Sequence, residues 1–236
     1  TQAAVDPEVK VVVLKGAGRG FCAGGDISVM GDNRKGEPDP TEIEAAKATE
    51  TFEGRVRWLR GNMDVVRVLH DMPKPTIAMM HGAAAGAGLG VACSCDVRIA
   101  ADDATFLTAF VKVGFSGDYG GSYFLTLLLG TSKARELYFL GDKIDAAEAL
   151  RLGLVNRVVP RASLEEETLA LARRIASGPT VAYSYMKRTL NTAEHARLEE
   201  VLDLEALNQT LTGKTEDHRE ATRAFMEKRP PVYKGK

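Results

Sequence analysis

The segment from Pro75 to Gly130 decides the interpretation of this chain. It opens with the apolar run Thr76-Ile77-Ala78-Met79-Met80 and continues with Ala83-Ala84-Ala85-Gly86-Ala87-Gly88-Leu89-Gly90, which carries almost no side chains. The apolar run predicts a buried strand. Small residues suit a place where the backbone approaches something closely, and a helix that starts after a strand leaves backbone N–H groups without intrahelical acceptors. The segment therefore predicts either a tight strand–helix crossing or a site that holds an anion or a developing oxyanion.

A second glycine-rich loop lies nearer the start of the chain. The strand pattern from Val9 to Lys15 is followed by Gly16-Ala17-Gly18-Arg19-Gly20-Phe21-Cys22-Ala23-Gly24-Gly25-Asp26. Two strands that each end in a loop of small residues can bring two backbone N–H donors together, which is the minimum for an oxyanion hole. This second loop therefore favours the oxyanion interpretation over a simple crossing.

These loops belong to a set of motifs that resembles the crotonase (enoyl-CoA hydratase/isomerase) superfamily. The motifs keep the family's order over nearly the whole chain: Gly20 to Ile27, Lys74 to Ala78, Gly82 to Asp96, Leu140-Gly141-Asp142, Gly153-Leu154-Val155-Asn156, and Phe225 to Pro230. The resemblance implies an α/β fold whose spiral core of β-β-α turns occupies residues 1–160. It also implies a helical region over 161–236 that builds homotrimers or dimers of trimers. Because the family has a strand pair and a helix before Val9, we expect a further segment before Thr1.

Composition limits the classes of function. The 236 residues are 44% hydrophobic with a net charge of −1, which suits one α/β domain and disfavours a nucleic-acid surface, normally basic. The longest apolar runs fall far short of the roughly 18 residues of a membrane helix. The number and spacing of the three cysteines do not indicate a set of disulfides, and the simplest interpretation is that they are reduced thiols of a cytoplasmic protein. We expect no metal site, and the Gly16–Gly20 loop is not a dinucleotide fingerprint.

The resemblance assigns the binding residues. It implies that the backbone N–H groups of Gly25 and Ala87 form an oxyanion hole for a thioester carbonyl. It places Cys22, Ala23, Gly24 and Ile27 along the coenzyme A path, and Phe225 and Lys228 at positions that reach the coenzyme A nucleotide. From the residues alone, Phe225 is equally a helix packing residue and Lys228 a solvated cation at a helix end. Coenzyme A is then part of the substrate, and no separate cofactor is expected.

The acid and base residues depart from the family's hydratases. Their two glutamates correspond here to Gly90 and Phe110, and neither side chain can transfer a proton. Asp118 stands where related enoyl-CoA isomerases and ring-opening isomerases carry an aspartate as proton shuttle. The 4-chlorobenzoyl-CoA dehalogenases use an aspartate there as nucleophile, but with a tryptophan at the Phe110 position. From the residues alone, Asp118 is equally a turn or helix-entry carboxylate, and we expect Phe110 to line the acyl site.

The sequence therefore predicts an acyl-CoA enzyme that stabilises a thioester enolate and shifts a double bond, with Asp118 as the proton shuttle. Two alternatives stay open: a hydratase-like lyase that uses other residues, and a catalytically silent subunit that binds CoA thioesters.

Four further expectations concern residues outside the predicted chemistry. His81 and Asp96 are predicted to be structural, His70 to lie on the surface, and Val56 to belong to the buried face of a helix over 42–70.

Overall fold

The structure, a computed structural model, describes residues 2–26, 40, 47 and 50–236. Ile27 and nearly all of residues 28–41, whose content of Gly, Asp, Asn, Lys and Pro predicts a surface loop, lie outside the described residues. The strands are β1 (Val12–Lys15), β2 (Thr76–Met80), β3 (Ala83–Ala85), β4 (Val97–Ala101), β5 (Thr105–Leu107), β6 (Ile144–Asp145) and β7 (Arg157–Val159). The helices are α1 (Gln2–Val5), α2 (Phe52–Asn62), α3 (Asp64–Asp71), α4 (Ala87–Cys93), α5 (Gly121–Leu140, broken at Gly130), α6 (Ala146–Arg151), α7 (Leu164–Ala176), α8 (Thr180–Ala193), α9 (Leu198–Thr212) and α10 (Glu216–Met226).

The strands form two sheets. The first is fully parallel in the order β1-β2-β4-β7, and the second has the order β3-β5-β6 with β3 and β5 parallel. The chain gives one strand to each sheet and then a helix, first as β2, β3 and α4 and again as β4, β5 and α5. This repetition confirms the predicted β-β-α turns. The boundary at residue 160 and the trimeric assembly stay predictions.

Strand β2 lies at the centre of the first sheet and is buried on both faces. Ala78 and Met80 pack into the larger hydrophobic cluster, whereas Ile77 and Met79 pack into a second cluster with residues of α7. Alternate side chains of a strand point to opposite faces, and a parallel strand covered on both sides has a continuous apolar sequence. This explains why the predicted strand shows no polar alternation.

The helical pattern over 42–70 is only partly correct. Two helices, α2 and α3, replace the second half of the predicted single helix, and α3 buries Val66 and Leu69. Val56 is 52% exposed and α2 buries no residue, so the prediction of a buried Val56 is wrong for this chain. Helix α3 packs against α4 and α8, and that neighbourhood cannot be deduced from periodicity. No helix in the described part of the chain is long and apolar enough to cross a membrane.

Three side chains, which we call the Asp96 joint, fasten α8 to the sheet. Asp96 Oδ2 accepts hydrogen bonds from the Thr76 backbone N–H at 2.7 Å, the Thr76 hydroxyl at 2.9 Å and the Lys187 ammonium at 2.8 Å. Lys187 is only 6% exposed and also donates to the carbonyl oxygens of Leu69 and Lys74. Asp96 is therefore structural, as predicted.

The two predictions for histidines have different outcomes. His81 is buried, and its Nε2 lies 3.1 Å from the Gly18 carbonyl oxygen, which fits the predicted structural role. The surface prediction for His70 is wrong, since its side chain is 18% exposed and its ring nitrogens lie 2.8 Å from Asp71 Oδ1 and 3.0 Å from Glu194 Oε2. Glu194 follows α8, so packing of that helix onto α3 covers a residue whose local pattern suggests exposure.

Candidate active site

The glycine-rich loop over Gly16–Asp26, which is the first loop in chain order, is hydrogen-bonded along β3. The Cys22 N–H donates to the Ala83 carbonyl at 3.0 Å, and the Ala85 N–H donates to the Cys22 carbonyl at 2.9 Å. Gly24 has a φ of 90°, and a Cβ added to it would lie 2.9 Å from the Ala85 oxygen and 3.8 Å from the Ala87 nitrogen. The loop therefore passes directly beside the start of α4, where only a residue without a side chain fits.

The N–H groups of Gly25 and Ala87 lie in adjacent segments. Gly25 is exposed and Ala87 is partly exposed. Ala87 is the first residue of α4 and follows Gly86, whose φ is 52°. Within residues 2–26 and 50–236, neither N–H group donates to a backbone oxygen. Two such accessible donors are what an oxyanion hole requires, so the arrangement agrees with that assignment, which stays a prediction.

Helix α4 lies in close contact with two loops, which are the Gly16–Asp26 loop and a third loop that carries Asp118. A Cβ added to Gly88 would lie 2.8 Å from Cys22 Sγ, and one added to Gly90 would lie 2.5 Å from the Tyr119 carbonyl oxygen. Real Cβ atoms do not approach other heavy atoms this closely. The tight crossing considered from the sequence is therefore present, and Gly24 lies beside the Ala87 nitrogen in it.

The third loop carries Asp118. After a 3₁₀ turn over Phe110–Val113, it includes Tyr119 at a φ of 47°, a left-handed conformation that is uncommon for a residue with a side chain. Asp118 is half-buried, its Oδ1 is shielded from solvent, and that oxygen has no hydrogen-bond partner among the residues that the structure describes. Burial raises the pKa of this carboxyl above its ordinary value. A raised pKa suits a carboxyl that takes up and releases a proton near neutral pH.

The alternative role of Asp118 as a helix-entry carboxylate finds no support. Helix α5 begins after Gly120 and has no side-chain cap. The Asp118 backbone carbonyl accepts a hydrogen bond from the Gly121 N–H at 3.1 Å, so the backbone makes the turn and leaves the carboxylate free of it.

The two positions of the family's glutamates are filled by other groups. The space in front of Gly90 contains the backbone of Tyr119. Phe110 is 8% exposed, and its ring lies 3.7 Å from the position that a Gly86 side chain would occupy. Phe110 therefore forms a wall beside the start of α4, while its contact with substrate stays a prediction.

Two tyrosines lie close to Asp118: Tyr119 is in the same loop, and Tyr138 packs against that loop. Burial raises the pKa of the Tyr119 phenol, and the nearby charges of Asp118 and Cys22 raise it further. Tyr138, on α5, stacks on Phe110 with ring centroids 6.0 Å apart and an interplanar angle of 17°. The sequence analysis missed Tyr138, because a lone aromatic residue inside a helix gives no signal that distinguishes a site from a core.

The remaining predicted binding residues are dispersed. Cys22 and Ala23 are exposed on the first loop, while Ile27 lies outside the described residues. Phe225 is 82% exposed and Lys228 is exposed at a φ of 54°, both at the end of α10. Phe225 is therefore little covered by the described residues, and its predicted contact with coenzyme A, like that of Lys228, stays a prediction.

Comparison with known proteins agrees with this geometry. Residues 1–236 match the family model described as enoyl-CoA hydratase/isomerase. The chain is 36% identical to the 1,2-epoxyphenylacetyl-CoA isomerase of Escherichia coli over 98% of this chain and 83% of that protein. It is 37% identical to the short-chain-enoyl-CoA hydratase of Clostridium acetobutylicum over 95% of this chain and 80% of that protein. The crystal structure of a putative enoyl-CoA hydratase from Streptomyces coelicolor matches with a TM-score of 0.86 at 36% identity, covering 97% of this chain and 78% of that one. The chain therefore belongs to the enoyl-CoA hydratase/isomerase family of enzymes.

Proposed function

We propose that this enzyme shifts the double bond of an enoyl-CoA thioester, with Asp118 as the proton shuttle and the Gly25 and Ala87 N–H groups as the oxyanion hole. One observation carries the proposal. Asp118 places a half-buried carboxylate, one oxygen of which has no partner among the described residues, in the loop that contacts α4, while Gly90 and Phe110 supply no second carboxylate.

The reaction needs one base and one oxyanion site. In a thioester with a double bond between its third and fourth carbons, Asp118 takes a proton from the second carbon. The electron pair moves into a dienolate whose oxygen receives hydrogen bonds from the Gly25 and Ala87 N–H groups. The protonated Asp118 then returns the proton to the fourth carbon, which leaves the double bond conjugated with the carbonyl. Each such N–H donor is worth about 10²–10³-fold in rate.

The Tyr119 backbone favours isomerisation over hydration. A pair of glutamates is the family's usual means of holding the attacking water, and a glutamate at position 90 has no room because its Cβ would lie 2.5 Å from the Tyr119 carbonyl oxygen. Phe110 is apolar at the other position. The name of the Escherichia coli relative, an isomerase of a CoA thioester, points in the same direction.

The substrate and the assembly follow the family pattern in this proposal. Coenzyme A enters as part of the thioester, with no separate cofactor. Helices α8 and α9 expose large apolar side chains, namely Met186, Leu190, Leu198, Leu202 and Leu207, and we assign this surface to contacts within a homotrimer or a dimer of trimers. Sedimentation of the full chain should show a trimer or hexamer, and a monomer at micromolar protein would contradict this assignment.

The test of the reaction is Asp118→Asn, which keeps the size of the side chain and removes the base. Purified parent and variant are incubated with pairs of 2-enoyl-CoA and 3-enoyl-CoA isomers, and conjugation is followed by absorbance. The variant should isomerise about 10²–10⁴-fold more slowly, the usual value of a positioned general base. Mass spectrometry of the products separates a double-bond shift, which keeps the mass, from hydration, which adds one water.

The matched control is Asp102→Asn. Asp102 Oδ1 accepts from the Arg161 backbone N–H at 3.0 Å on an exposed turn, and asparagine keeps an oxygen there. This variant should retain full activity. An Asp118→Asn variant as fast as the parent would overturn the shuttle role. Binding of the thioesters without turnover by the parent would favour the silent subunit, and a hydrated product would favour the lyase.

A further inference from the structure

Tyr138 lies directly beneath the loop that carries Asp118. A Cβ added to Gly121 would lie 2.6 Å from the Tyr138 hydroxyl oxygen, and one added to Gly117 would lie 2.9 Å from Cε1 and 3.3 Å from that oxygen. The hydroxyl is thus enclosed by the two glycines on either side of Asp118. On its other side the ring is stacked on Phe110, which fixes the direction in which the hydroxyl points.

Asp118 and Tyr138 share an unusual property. Asp118 Oδ1 and the Tyr138 hydroxyl are both buried side-chain atoms without a hydrogen-bond partner in the described part of the chain. Two other such atoms among the described residues belong to Thr168 on α7 and Asn208 on α9, away from this loop. The Ser122 side chain approaches the phenol without reaching hydrogen-bond geometry. Buried polar atoms are nearly always paired, so an unpaired donor packed against the loop that carries an unpaired acceptor requires an explanation.

We propose that Tyr138 is a positioning residue that donates a hydrogen bond to the Asp118 carboxylate when an acyl chain excludes water from the loop. This inference rests on the proposed role of Asp118. An unsatisfied carboxylate in a dry site has two ways to be stabilised, which are protonation and a hydrogen bond from a fixed donor. Tyr138 supplies that donor from a rigid helix and so keeps the carboxylate charged and aimed at the substrate.

The electrostatics of the phenol agree with this geometry. Burial and then the Asp118 charge raise the pKa of Tyr138 to about 12. The phenol therefore keeps its proton throughout the working range of pH and can act only as a donor or an acceptor of hydrogen bonds, not as a base.

The test compares Tyr138→Phe with Tyr123→Phe. The first change removes only the unpartnered hydroxyl. A hydrogen bond to a charged group is worth enough that kcat should fall about 10–100-fold, with little change in KM. The acid limb of the kcat–pH profile should move to higher pH, because losing the donor raises the pKa of Asp118 in the complex. The melting temperature should not fall, because no hydrogen bond is lost from the free protein.

Tyr123→Phe is the matched control. The Tyr123 hydroxyl donates to Glu194 Oε2 at 2.8 Å, outside the Asp118 loop. Its removal should lower the melting temperature and leave the kcat–pH profile unchanged. If Tyr138→Phe behaves in this way instead, Tyr138 is merely structural and the inference is wrong.

A measurement without turnover separates this inference from the proposed reaction. Carboxyl-carbon NMR of the protein with a saturated acyl-CoA bound follows the titration of Asp118, assigned by its loss in Asp118→Asn. An upward shift of that titration in Tyr138→Phe supports the inference even if Asp118→Asn proves fully active. An unchanged titration overturns it even if Asp118→Asn is inert.

Discussion

The Asp96 joint and the Asp118 loop differ in whether their polar groups have hydrogen-bond partners. In the joint, all three hydrogens of the Lys187 ammonium have acceptors, and Asp96 Oδ2 accepts three hydrogen bonds. At the loop, an Asp118 oxygen and the phenol of Tyr138 on α5 lack partners among the described residues, and Tyr119 adopts a left-handed conformation. Satisfied buried networks make a structure rigid, whereas unsatisfied and strained groups persist mainly where function requires them. The contrast separates the residues that hold this enzyme together from those that we expect to do its chemistry.

The largest expected effect on stability comes from breaking the joint. Asp96→Asn leaves the buried Lys187 ammonium without its counter-charge. We expect the free energy of unfolding to fall by about 3 kcal/mol. This value is at the lower end for a broken buried ion pair because the Asp96 side chain is 30% exposed. Urea unfolding measures the loss. Lys187→Met removes the buried charge instead of isolating it and should cost less, so equal losses would contradict this account. Neither change should alter the pH profile of the remaining folded enzyme.

A smaller effect is expected from filling the contact between α4 and the loop. Gly90→Ala forces a Cβ against the Tyr119 carbonyl oxygen, and we expect it to cost about 1–3 kcal/mol, as overpacking of a core does. It should also slow isomerisation, because the displaced carbonyl belongs to the neighbour of Asp118. Gly61→Ala on α2 is the control, since nothing lies within 4 Å of its added Cβ, and it should gain up to about 1 kcal/mol from helix propensity. A neutral Gly90→Ala would show that the crossing is loose.

The smallest expected effect concerns stability as a function of pH. Because burial raises the pKa of Asp118 in the folded protein, ionisation of this group favours the unfolded state once the pH exceeds its unfolded value. Asp118→Asn should therefore be more stable than the parent at neutral pH, and the gain should disappear as the pH falls toward the ordinary range of an aspartate. Urea unfolding across this range measures the difference, and a constant difference would contradict the assignment.

Glu220→Gln should show the opposite sign. Hydrogen bonds from the Arg229 side chain and then the Val232 backbone N–H lower the pKa of Glu220 to about 2. Its contribution to stability is present above the unfolded pKa and is lost as the pH falls toward the folded value. The glutamine variant should therefore be less stable than the parent at neutral pH and approach it in acid. Like signs for Asp118→Asn and Glu220→Gln would show that these two carboxylates do not differ in the way described here.

Much of the fold was predictable from the sequence. Apolar periodicity predicts helices over Ser122–Leu129, Ser132–Leu140, Leu164–Ala176, Val181–Thr192 and Leu198–Leu211. The bounds of α7 agree with this prediction, those of α8 and α9 agree within one residue at each end, and the kink in α5 falls at Gly130, between the first two predicted helices. These features depend on neighbouring residues, through apolar periodicity, glycine and proline. The order of the motifs identifies the family, and the resemblance predicts the register of Asp118 and the two glycine-rich loops.

The sequence by itself determined most of the strands and helices, the family, and the absence of glutamates at positions 90 and 110, because each depends on local pattern or residue identity. Only the tertiary structure decided which polar atoms have partners. The contacts of Gly90 with Tyr119 and of His70 with Glu194 join segments that are distant along the chain, and the contact of Gly121 with Tyr138 joins the two parts of α5 across the break at Gly130. Whether a buried oxygen has a hydrogen-bond partner depends on all the segments that pack around it, and no single stretch of sequence contains that information.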